Sequence, residues 1–69
     1  MVSVRNLREF RQRAMLSQQT LAAKAGVSET TINRLEQGLQ LARYVTVRKL
    51  AAALGVESIA LVEPSELTR

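Results

Sequence analysis

Sixty-nine residues limit the chain to one small domain, whose core is marginal unless it packs closely or is shared with a second copy. There is no Cys, no His and no Asp, so disulfides, thiol nucleophiles, imidazole bases and the common zinc ligand sets are excluded, and no enzyme, cofactor or metal site is expected. Residues 1–49 hold nine Lys and Arg against three Glu, whereas residues 50–69 hold one Arg against three Glu, so a polyanion is expected to meet the N-terminal body rather than the acidic end.

In chain order, Val4, Leu7, Phe10 and Ala14 recur at helical spacing with arginines between them, which predicts a first amphipathic helix over 4–14. Ser17 is placed to cap a second helix over 18–25 with Leu21, Ala22 and Ala25 inward. Ser28 does the same for a third over 29–37, with Ile32 and Leu35 inward and Gly38 as its stop. After a loop over 38–45, Thr46 reads as the cap of a fourth helix that runs through Val47, Leu50, Ala51 and Leu54 to Gly55. A short fifth turn covers 57–62 before Pro64, and residues 63–69 read as a flexible C-terminal tail beyond a domain over 1–62. No strand is predicted, so the fold class is all-α, a compact bundle of about five short helices. The chain also lacks a signal-peptide pattern and any run of 18 apolar residues, so a cytoplasmic protein with no membrane contact is expected.

The segment QQTLAAKAGVSETTINRLEQ, residues 18–37, joins two of these helices at Gly26. Ala22, Gly26, Ile32 and Leu35 fall where two helices crossing at a sharp angle need a small contact residue, a turn with positive φ and two apolar anchors. This pattern resembles the lambda-repressor-like, Xre/Cro type of helix-turn-helix DNA-binding domain, over roughly residues 5–62. Two departures stand out: Met15 where the family usually ends its first helix with Gly, and Thr20 where a full capping box would have Glu or Gln.

Stepping 100° per residue from Ile32 puts Thr30, Arg34 and Gln37 on the outer face of the third helix, with Glu29 and Asn33 along its edge. Arg suits guanine, Asn adenine, Glu cytosine and the Thr methyl thymine, so this face carries chemistry that reads base edges. The resemblance implies that the helix enters the major groove by its N-terminal end, bringing Ser28, Glu29, Thr30, Asn33 and Arg34 nearest the bases, with Glu29, Thr30 and Arg34 foremost. Ser17, Gln18, Gln37 and Arg43 are candidate phosphate contacts, Gln18 because its backbone N–H and amide follow a helix cap, with Arg13 and Lys24 behind them. Arg11 and Glu36 match a pair that the family often holds between its first and third helices.

One module reads few base pairs, so two copies on a pseudo-palindromic operator, with half-sites about 34 Å apart, are expected. The resemblance places the homodimer surface among Leu39, Leu41, Tyr44, Val56, Ile59, Leu61 and Val62, some of which must fill the core instead. The function expected is that of a sequence-specific regulator binding double-stranded DNA, a repressor that occupies an operator. The alternative reading is an antitoxin or other protein-interaction module with a toxin as partner, and a third is a scaffold that has lost its DNA role.

Overall fold

The structure, a computed structural model, describes residues 1–62, and the tail expected over 63–69 lies outside them. Five helices follow in order: α1 Leu7–Arg13, α2 Gln18–Ala25, α3 Glu29–Gln37, α4 Tyr44–Leu54 and α5 Ser58–Leu61. α2 packs against α3 and α4, and α5 closes on α4. Leu7, Leu21, Ile32, Leu35, Leu50 and Leu61 meet in the centre without exposed surface to speak of. One such residue comes from each of α1, α2, α4 and α5, and two from α3, so a single core fixes every helix relative to α3.

α2 and α3 begin and end where the sequence places them. Ser17 accepts the backbone N–H of Thr20 at 3.0 Å, Ser28 accepts that of Thr31 at 3.0 Å, and each side chain thereby satisfies a helix-end donor. Gly26 closes α2 at φ 73°, with its own N–H and that of Val27 both bonded to the Ala22 carbonyl. A Cβ at Gly26 would meet nothing within 4 Å, so the demand for glycine there comes from the left-handed backbone alone.

The first and fourth helices start elsewhere than expected. α1 begins at Leu7 rather than Val4, because Val2 pairs with Ala42 in an antiparallel bridge and Val4 is buried as part of this extended arm. Asn6 stands before α1 without capping it, since its amide donates instead to the Ala60 carbonyl at 3.1 Å and ties the arm to α5. Ala14 is the C-cap of α1 and faces solvent, so it does not belong to the apolar face. At the other end of the bridge, Arg43 is extended at ψ 153° and α4 starts at Tyr44, so Thr46 lies inside the helix and is not its cap. Val45, Thr46 and Val47 are helical despite their branched Cβ atoms, because Val47, Leu50 and Ala51 all reach the core from one face. The fifth helix is shorter than 57–62, with Glu57 and Val62 extended on either side.

Met15 takes the left-handed conformation, φ 60°, and the residue is 90% exposed. A Cβ in that region is costly and nothing is packed in return, so Met15→Gly is expected to stabilise the domain by about 0.5–1 kcal/mol, after the greater chain entropy of glycine is allowed for. Thermal unfolding of the two proteins checks this; an unchanged or lower Tm for the glycine variant would contradict it.

Candidate nucleic-acid interface

α3 has two faces. Ile32 and Leu35 are buried beneath it, while Ser28, Glu29, Thr30, Asn33, Arg34 and Gln37 are all exposed along the other side. The sequence-predicted base readers therefore lie together on one continuous helical surface. Their hydrogen-bonding groups are differently engaged. The Ser28 hydroxyl holds its cap and donates to Thr31 Oγ1, and the Gln37 amide donates to Asn33 Oδ1, pairing those two side chains. Glu29, Thr30 and Arg34 have no side-chain partner among the described residues, so their polar edges are available to a ligand without a bond being broken.

Of the candidate phosphate contacts, Gln37 lies on α3 itself, and the others fall in two groups at the N-termini of α2 and α4. In the first, Ser17 and Gln18 stand at the N-terminus of α2, where the Ser17 hydroxyl both caps the helix and donates to Thr20 Oγ1. In the second, exposed Arg43 stands at the N-terminus of α4, which has no side-chain cap, so the first N–H groups of that helix lack a side-chain acceptor. An open groove between α3 and α4 runs past Arg43 and is lined also by Thr31, Gln40, Thr46 and Lys49. Lys49 was not among the residues expected from the sequence, in which the cap of α4 falls three residues late, at Thr46 instead of Arg43. Of the lesser candidates, Lys24 is exposed and lacks a carboxylate partner among the described residues, whereas Arg13 is engaged, by Glu9 at 2.6 Å and by the Phe10 ring at 5.3 Å.

Behind this surface, the Glu36 side chain is fully covered by protein. Arg11 donates to both of its oxygens, from Nε to Oε2 at 2.6 Å and from Nη2 to Oε1 at 3.0 Å. Gln18 Nε2 donates to Oε1 at 3.0 Å, and Arg8 Nε makes a longer contact with the same oxygen at 3.5 Å. Burial alone pushes the Glu36 carboxyl up, but the hydrogen bonds from Arg11 and Gln18, the Arg11 charge and the Arg8 contact outweigh it and hold the group below its ordinary value. The same bond raises the Arg11 guanidinium, against a smaller opposing effect of its own burial. The Arg11–Glu36 pair expected from the sequence is thus present. The Arg8 and Gln18 contacts were not foreseen, although Arg8 lies one turn before Arg11 and so shares its helical face.

The apolar residues expected at a dimer surface divide in two. Leu61 and Val62 belong to the core and Val56 is half-buried against it, whereas Leu39, Leu41, Tyr44 and Ile59 are exposed.

A family model described as a helix-turn-helix domain matches residues 4–64. An uncharacterized HTH-type transcriptional regulator, y4dJ of Sinorhizobium fredii, is 33% identical over 63 residues, which are 91% of this chain and 82% of the relative. Among solved structures, the restriction-modification controller protein C.AhdI from Aeromonas hydrophila superposes with a TM-score of 0.80 at 36% identity, covering 87% of this chain and 92% of the other. The hypothetical transcription factor NHTF from Neisseria gives 0.77 at 33% identity, over 90% of this chain and 71% of that one. A chain of the SinR–SinI protein complex gives 0.82 at 26% identity, over 100% of this chain and 67% of the other.

Proposed function

The chain belongs to the helix-turn-helix domain family of DNA-binding transcriptional regulators, with a lambda-repressor-like fold, and from that premise we propose that it is a sequence-specific repressor which inserts α3 into the major groove. The observation that carries this reading is the free outer face of α3, where Glu29, Thr30 and Arg34 are exposed together and unengaged above a buried Ile32 and Leu35. Ser28 and Asn33 border that face and complete the base-reading set. Gln18, Ser17, Gln37 and Arg43 fix the module on the backbone, Arg43 with the uncapped N-terminus of α4 beside it. Occupying an operator blocks polymerase without any catalytic step, and the protein works in the cytoplasm. Among the described residues, no helix is long and apolar enough to cross a membrane.

Two chemistries of contact separate in solution. Gln18→Ala is expected to weaken binding to all duplexes alike, by several-fold, without changing the salt dependence, because an uncharged amide displaces no counterion. Arg43→Ala is expected to weaken binding and also to flatten the slope of log K against log salt by about 0.9, the value of one phosphate neutralised. Fluorescence anisotropy on one selected and one scrambled duplex across a salt series measures both. An unaltered slope for Arg43→Ala would remove that residue from the phosphate contacts.

A homodimer formed through Leu39, Leu41, Tyr44 and Ile59 would present two α3 helices to a pseudo-palindrome, and the exposure of these four apolar side chains supports this arrangement. Replacing Tyr44 by Glu is expected to leave the fold intact and shift the mass by sedimentation from dimer to monomer. A wild-type chain that sediments as a monomer at 100 μM would exclude the dimer.

A further inference from the structure

Four donors from α1 and α2 converge on the one covered carboxylate of α3: Arg11 Nε and Nη2, Gln18 Nε2 and, more distantly, Arg8 Nε. The remaining Arg11 nitrogen, Nη1, donates to the Leu16 carbonyl at 2.8 Å. Leu16 directly precedes Ser17 and Gln18, so both the backbone entering α2 and the side chain of its first residue are referred to the same group on α3. Bracing alone would need only Arg11. The bond to Gln18 is different, because it occupies one N–H of an amide at the rim of the interface and leaves the second directed away from the first in the amide plane.

We infer that Glu36 is a positioning residue for DNA binding, which holds the Gln18 amide at a fixed distance from the base-reading face of α3 with one N–H aimed at a backbone phosphate. This rests on the DNA-binding function proposed above. The carboxylate brings no net repulsion to the phosphate, since Arg8 and Arg11 both contact it. Its effect is to order a side chain before the complex forms, which otherwise loses rotamer freedom on binding.

A double-mutant cycle tests this. Affinity for a selected duplex is measured for the wild type, Glu36→Gln, Gln18→Ala and the double variant, at a temperature where circular dichroism shows each to be folded. Glu36→Gln is expected to weaken binding roughly 2- to 10-fold on selected and scrambled duplexes alike, and to have no effect once Gln18 is Ala. An equal loss in both Gln18 backgrounds would make Glu36 purely structural and overturn the inference. If Glu36→Gln does not fold, side-chain amide NMR of the wild type decides. The Gln18 amide protons are expected to exchange slowly and to resolve from those of exposed Gln19, and exchange as fast as Gln19 would overturn the inference equally. A wild-type chain that binds no duplex would bring down the DNA reading itself and this inference with it, a result distinct from a bound duplex with an uncoupled cycle.

Discussion

Glu36→Ala is expected to lower the stability of the domain by about 3 kcal/mol, because it strands the Arg11 guanidinium in a site where only 12% of that side chain reaches solvent. In a domain of this size that corresponds to a fall in Tm of more than about 10 °C. The exposed Arg13–Glu9 pair is the internal control. Both of its side chains are more than half exposed, so Glu9→Ala should cost less than about 1 kcal/mol despite an equally short contact. The pair also sets a pH dependence. Since folding lowers the Glu36 pKa, the stability it supplies is complete above the ordinary carboxylate value and is lost as pH falls through the lowered folded value. Wild-type stability should therefore fall in acid below about pH 4.5, and Glu36→Ala should show a shallower fall. Parallel acid profiles for the two proteins, or equal melting temperatures for Glu36→Ala and Glu9→Ala, would remove the bracing role.

Arg34→Ala carries the largest expected effect on recognition. Arg34 lies on the outer face of α3, has no carboxylate partner among the described residues, and supports nothing beneath it, so the substitution should change stability by no more than about 0.5 kcal/mol. A guanidinium that donates to guanine O6 and N7 contributes about 1–3 kcal/mol of discrimination, so affinity for the selected duplex should fall roughly 5- to 150-fold. Affinity for scrambled duplexes should fall much less, and the preference at one base position should relax. Competition binding against single-base variants of the selected site reads this. A loss that is the same on every duplex would reassign Arg34 to the phosphates.

The part of the fold that was legible in the sequence is the part written locally. Ser17 and Ser28 cap their helices within three residues, and Gly26 and Gly38 end them through their own backbone conformations, so α2, the turn and α3 followed from neighbours in the chain. α1 and α4 were misplaced at their starts for a shared reason. The bridge between Val2 and Ala42 joins segments forty residues apart and pulls Val4 out of a helix and Tyr44 into one, and neither segment carries a local sign of it. The candidate site divides in the same way. The outward face of α3 follows from helical periodicity, and Arg11–Glu36 from resemblance. The pairing of Gln37 with Asn33 spans one turn and was within reach of an i, i+4 argument. The bond from Gln18 to Glu36 was not, because it depends on how steeply α2 crosses α3. Met15 shows the converse: Met where the family usually has Gly leaves the turn either a strained left-handed backbone or another route, and the φ of 60° shows that it takes the first.

Selection from a pool of random duplexes on the purified wild-type protein at low salt tests most directly the proposal that the exposed face of α3 reads DNA sequence. The result predicted is an enriched motif, with two related half-sites if the dimer forms, that Arg34→Ala selects with relaxed preference at one position. A pool that stays random after repeated rounds, from a protein shown to be folded, would contradict the claim.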